Sequence, residues 1–157
     1  MNSQLTAYKY NGARSLVLIH EQYLRSFVQT WKQAKIKNIT LPKTDDPSYV
    51  SMEALLRHIL RAARGYMTWM CDKLELPNPQ IDPTPLEDQI EVEADNYLEQ
   101  VIEKWKTPLA IVEQSRFNEV YKSRWGVDYC IDAMMEHAVM HPLRHEFQLK
   151  KLMDSAK

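Results

Sequence analysis

His137-Ala138-Val139-Met140-His141-Pro142-Leu143-Arg144-His145-Glu146-Phe147-Gln148 is the stretch whose reading decides the fold. Three of the chain's five histidines stand here at four-residue spacing. An α-helix turns about 100° per residue, so an i, i+4 pair is offset by about 40° and rises about 6 Å. Such side chains lie one above the other on one face. With His141 at zero on a helical wheel, His137, His145, Gln148, Cys130, Met134 and Leu152 all fall within about 40° of it. Ala138, Ile131 and Leu149 flank that set, and Asp132, Glu136, Glu146 and Lys150 lie opposite. The pattern predicts a helix from about Val127 to Met153 that turns its histidines toward the core and leaves Glu136 and Glu146 in solvent.

One histidine on a core face is ordinarily a hydrogen-bonded core residue. Burying three imidazoles requires a partner for every ring nitrogen. A divalent ion answers several at once, and neutral imidazole is the commonest metal ligand. The competing reading is a polar core network of histidines and carboxylates. His137 and His145 are about 12 Å apart along the helix axis. The three are therefore not expected to share one ion: two ligands come from this helix and at least one from elsewhere. Pro142 removes the backbone bond to the Ala138 carbonyl and predicts a kink. That kink either shapes the site, frees a carbonyl, or is simply absorbed by packing.

Outward from this helix, three more amphipathic segments appear. The first runs from Ala13 to about Lys37, with Leu16, Ile19, His20, Tyr23, Phe27 and Trp31 at three- and four-residue steps. The second runs from about Met52 to Leu74, with Ser51 as N-cap and Glu53 in its first turn. Its apolar face is Leu55, Ile59, Ala62, Tyr66, Trp69 and Met70, and Arg57, Arg61 and Arg64 form an opposite stripe that reads as a solvated face. His58 sits at the border, about 60° from the centre of the apolar face. Thr84-Pro85-Leu86-Glu87 carries the marks of a third start, with Thr as N-cap, Pro at N1 and Glu at N3. That helix extends to about Lys106, with Leu86, Ile90, Ala94, Tyr97, Val101 and Trp105 on one face. Residues 1–12 read as irregular and ordered by docking. Residues 38–50 read as a loop broken by Pro42, Asp45, Asp46 and Pro47. The connection ending at Trp125-Gly126 is open between short helix and short strand. The expectation is an all-α four-helix bundle spanning 1–157 as a single domain. Bundle cores hold metal sites built from facing helices.

Composition narrows the partners. A length of 157 residues with 45% apolar and 26% charged residues is that of an ordinary globular domain. The net charge of −1 argues against nucleic acid or a membrane surface as an electrostatic partner. No apolar run approaches membrane-spanning length and the N-terminus lacks a signal-peptide core, so a cytoplasmic protein is expected. Cys71 and Cys130 are far apart, form no CxxC, and read as small core residues. The three glycines disfavour a phosphate-cradling loop.

The segment Glu136-His137-Ala138-Val139-Met140-His141-Pro142-Leu143-Arg144-His145-Glu146-Phe147-Gln148 resembles the last-helix motif of the DinB/YfiT-like family, a His-x-x-x-His pair followed three residues later by Gln. Leu55-Leu56-Arg57-His58-Ile59-Leu60 matches that family's second-helix histidine. Order, spacing and number of elements agree over nearly the whole chain. Where the family often has His-Arg-Gly-Gln, this chain has His145-Glu146-Phe147-Gln148, a bulkier turn. The resemblance implies a four-helix bundle holding one divalent metal ion on His58, His141 and His145, with His137 a neighbour and not a ligand. Zinc or nickel leads, although imidazole suits copper and iron as well. It implies a metal-dependent transferase that activates a low-molecular-weight thiol for attack on a small electrophile, and a homodimer, which four tryptophans support weakly. A metal-dependent hydrolase, or a metal-stabilised interaction or stress-response protein without turnover, are the alternatives. Tyr66, Tyr129 and Trp69 are read as core residues that also have the reach to line a pocket.

Overall fold

Ala13, Val17, His20, Leu24, Phe27, Trp31 and Ala34 recur every three or four residues and are all buried, so helix α1 (Asn11–Ile36) presents one continuous face to the interior. Of the residues expected on that face, Ile19 instead points outward. The computed structural model describes residues 5–156. Three further helices follow: α2 (Met52–Lys73), α3 (Ile90–Trp105) and α4 (Ile131–Ser155). A short hairpin, β1 (Val120–Lys122) paired antiparallel with β2 (Asp128–Cys130), precedes α4. The all-α four-helix bundle is therefore the architecture. Helix α1 lies along α4, α2 lies along α3, and α4 also meets α2.

The start of α2 is as the sequence predicts, the Ser51 Oγ accepting from the Ala54 N–H at 2.9 Å. Indole N–H groups tie the helices together at their carbonyls. Trp31 donates to Met52 at 2.6 Å and Trp105 to Ala63 at 3.0 Å. Trp69 donates to Lys122 at 3.2 Å, binding the hairpin to α2. Three of the four tryptophans thus serve this chain's own core, and only Trp125 is exposed, so the tryptophans do not argue for a pairing face. Of the irregular leader, residues 1–4 lie outside the described residues. The rest docks as expected: Tyr8 donates its hydroxyl to the Lys106 carbonyl at 2.6 Å, and the Lys9 N–H reaches the Ala110 carbonyl at 3.0 Å.

Tertiary packing overrides several local signals. Helix α3 begins at Ile90, not at Pro85. The Thr84 hydroxyl, expected to cap a helix, is buried against the Tyr97 hydroxyl at 3.0 Å, and Glu87 accepts from Ser51 at 2.7 Å. The segment is held flat across α2 by Arg57 and Arg64, which donate to the carbonyls of Pro85 and Ile81 at 2.9 and 3.0 Å. Two members of the supposedly solvated arginine stripe are therefore clamps, and only Arg61 is exposed. The undecided connection uses both alternatives, a 3-10 turn at Gln114–Asn118 and then β1. Gly126, with φ of 83°, makes the hairpin turn. Because Val127 to Cys130 enter that hairpin, α4 starts at Ile131. Cys130 is half-buried instead of being a core residue, and its Sγ accepts from the Ala133 N–H at 3.4 Å.

Helix α4 is rotated from its expected setting. Its buried residues include Ile131, Met135, Ala138, Pro142, Leu149 and Glu146, an arc centred about 80° around the wheel from His141. The histidines form the edge of the buried arc, facing α2, and not its centre. Glu146, expected in solvent, is 2% exposed because α1 covers that side. It accepts from Ser26 and Thr30 of α1 at 2.7 and 2.9 Å and pairs with Lys150 at 2.7 Å. Burial pushes its carboxyl up, but these donors outweigh burial and hold it below the usual range. Glu136 is exposed, as predicted.

Candidate metal centre

The rotation of α4 brings His141 and His145 to the seam with α2, where His58 meets them. One ligand atom from each lies within 4.8 Å of the other two, a grouping that can hold a metal ion. The His58 and His141 Nε2 atoms are 2.9 Å apart. Ring centroids are 4.8 Å from His58 to His141, 4.9 Å from His141 to His145 and 5.5 Å from His58 to His145, all edge-on. The edge-on arrangement keeps the three rings from stacking on one another.

The donor set fits a divalent cation. Burial lowers the pKa of all three rings, with His141 depressed to about 2 and His145 to about 4; charge on neighbouring rings disfavours protonation of those two further, and charge on Arg144 does so for all three. The rings are thus neutral at pH 7 with lone pairs available. Two facing Nε2 atoms can share at most one proton as a hydrogen bond, whereas a cation answers both lone pairs. Metal–nitrogen bonds of about 2.0–2.1 Å across the observed 2.9 Å separation subtend roughly 90°. The His141 Nδ1 is buried with no hydrogen-bond partner among the described residues.

His145 is oriented by a residue the sequence did not single out. The Tyr49 hydroxyl sits 2.8 Å from His145 Nδ1, leaving Nε2 for an ion, and Gln148 shares that hydroxyl. Tyr49 stands in a 3-10 turn, Pro47–Tyr49, whose Asp46 cap accepts from the Ser48 N–H at 2.9 Å. Tyr49 and His145 are 96 residues apart, and no local pattern announces their meeting. A ligating histidine held through its other nitrogen is the usual outer arrangement of a metal site.

His137 stands outside this group but lines the cleft beside it. Its ring centroid is 6.3 Å from that of His141, and it sits among Trp125, Tyr66 and Tyr129 at 5.2, 5.4 and 5.6 Å. The three histidines open onto a cleft of about 810 Å³, within the range of small-molecule sites. Tyr66 and Trp69 are buried core residues that also line this cleft, whereas Tyr129 is half-buried and outside its lining. Arg61, Arg124 and Arg144 line it as well, with Asp46 the one carboxylate in its wall among the described residues. Neither Cys71 nor Cys130 reaches it. No helix among the described residues is long and apolar enough to cross a membrane. No known family model, curated protein or solved structure matches this chain.

Proposed function

We propose that the chain is a metal-dependent transferase of the DinB/YfiT-like kind, holding one divalent ion on His58, His141 and His145 and joining a low-molecular-weight thiol to a small electrophile. The observation that carries this reading is a three-histidine group open to a cleft, with no fourth His, Cys, Asp or Glu grouped with it among the described residues. Three protein ligands with an open position are the mark of catalytic sites, whereas structural sites are closed by a fourth. Held by three neutral imidazoles, the ion would keep its full charge and favour the anionic form of a thiol, whose free pKa is about 8.5.

The chain's own residues do the rest. His58, His141 and His145 stay neutral because burial opposes their protonation. Tyr49 holds the His145 ring in one orientation. Among the described residues the cleft offers no cysteine or serine as a protein nucleophile, so in this reading the thiol supplies it, with water the alternative in the hydrolytic one. Tyr66, Trp69 and Trp125 give the electrophile aromatic surface in the cleft. Zinc or nickel is the proposed ion.

The test is to incubate metal-loaded protein with a panel of small thiols and a chromogenic haloarene. Conjugation should run well above that of the His58→Ala variant and stop on chelation. Equal rates for the two proteins, with metal-dependent cleavage of an ester panel, would replace thiol transfer by hydrolysis. Silence in both panels would favour a bundle that binds metal without turnover.

A further inference from the structure

The chain has eight arginines. Five have protein partners: Arg14 on the Leu5 carbonyl, Arg25 on Glu21 and Glu99, Arg57 on Pro85, Arg64 on Ile81, and Arg116 on Leu74 and Glu119. Arg61, Arg124 and Arg144 have no hydrogen-bond or ion-pair partner among the described residues, and all three line the histidine cleft. In a chain of net charge −1 the cleft lining carries, among the described residues, a single carboxylate, Asp46, which already accepts from Ser48.

Their placement is ordered by the same elements that build the site. Arg61 follows His58 by three residues on α2, and Arg144 follows His141 by three on α4. Residues three apart on a helix are surface neighbours, with Cβ atoms about 5–6 Å apart. Each helix that supplies a histidine therefore sets a guanidinium one turn along. Arg124 comes from the hairpin turn and lies over α2 at Gly65, where a Cβ would stand 3.2 Å from its Nη1. Gly65 and Arg61 are an i, i+4 pair, so the Arg124 guanidinium lies over the same face of α2 that carries Arg61. Charge on Arg144 is felt by His58, His137, His141 and His145, and charge on Arg61 by His58. Guanidinium presents a planar fork that matches carboxylate and phosphate oxygens.

We propose that the cleft selects a small organic anion, a molecule carrying a carboxylate or phosphate group, held by Arg61, Arg124 and Arg144 beside the histidine group. The aromatic side chains around His137 cover the organic part of that molecule. The proposal rests on the reading of the histidine group as the reacting centre, and it names what that centre acts on.

The experiment is an NMR titration at low salt with phenyl phosphate, benzoate and the neutral benzyl alcohol. It is run on metal-loaded and on chelator-treated protein, for the wild type, the single variants Arg124→Gln and Arg144→Gln, and the triple variant Arg61→Gln/Arg124→Gln/Arg144→Gln. All three side chains are exposed, so the variants should fold, and circular dichroism verifies it. The anionic probes should bind the wild type at least tenfold more tightly than benzyl alcohol, and the tighter of the two identifies the preferred group. Each single substitution should weaken anion binding about tenfold, as a charge-assisted hydrogen bond predicts, with metal content unchanged. Anion binding as tight in the triple variant as in the wild type overturns the proposal, as does equal affinity for benzoate and benzyl alcohol. If the wild type takes up no ion, the metal reading fails on its own, and the chelator-treated titration still decides this one.

Discussion

Replacing His145 by Ala should abolish most of the stability that a metal ion confers. His145 is one of three grouped donors, and the two left behind, His58 and His141, offer an ion a bidentate site. Removing even an outer partner of a metal ligand costs about 10–100-fold in affinity, so loss of a ligand itself should cost at least about 100-fold. At a free metal concentration 1,000 times Kd, the wild type gains about 4.1 kcal/mol on binding. With Kd raised 100-fold the variant gains only about 1.4 kcal/mol under the same conditions. For a domain of this size 1 kcal/mol moves Tm by about 2–4 °C. Metal should therefore raise Tm by about 8–16 °C in the wild type and about 3–6 °C in the variant. Each protein is compared with itself, with and without metal, so the cavity left by the missing ring cancels. Differential scanning calorimetry with elemental analysis of untagged protein gives both readouts. His137→Ala is the control, because that ring stands 6.3 Å from His141 among aromatic side chains, and it should behave as wild type. A stoichiometric ion and an unchanged Tm response in His145→Ala would refute the ligand assignment, and loss of the response in His137→Ala would show that the wrong histidine was chosen.

Three further outcomes are expected. Tyr49→Phe removes the hydroxyl that faces His145 Nδ1 and should weaken metal binding about 10–100-fold with little change in fold, measured by competition with a chromophoric chelator; unchanged affinity would mean that the ring needs no such support. Glu146→Ala leaves the buried Thr30 hydroxyl and the half-buried Ser26 hydroxyl without their acceptor and should cost about 2–4 kcal/mol in urea unfolding, whereas a loss below about 0.5 kcal/mol would fit the solvated residue that the wheel alone suggests. Buried against Trp105 with a ring-centroid distance of 3.7 Å, His20 has its pKa lowered from 6.5 to about 3 by burial. The unfolded chain takes that proton near pH 6.5 and the folded chain does not, so its contribution is full above that pH and falls as pH drops toward 3. The loss is about 2 kcal/mol by pH 5, and His20→Gln should flatten the pH dependence of stability by that amount between pH 7 and 5.

What the sequence determined by itself is the part that depends on near neighbours. Apolar spacing along α1, α2, α3 and α4 defined helices and their number, and Ser51 marked a start, because periodicity and capping act within one or two turns. The i, i+4 pair His141 and His145 already implied two nitrogens on one helical face. Signals went astray where a distant element competed. Thr84-Pro85-Leu86-Glu87 has the composition of a helix start, but Arg57 takes the Pro85 carbonyl, Arg64 holds Ile81 just upstream, and Tyr97 takes the Thr84 hydroxyl. Glu146 lies opposite the histidines on the wheel, and only the position of α1 makes that side an interior. Tertiary structure alone decided the rotation of α4, which moved the histidines from the centre of the buried arc to its edge. That rotation turns a buried polar cluster into a group bordering a cleft. It also decided that Tyr49 meets His145 and that Arg61, Arg124 and Arg144 line one cleft, since these residues come from separate elements that no local periodicity relates.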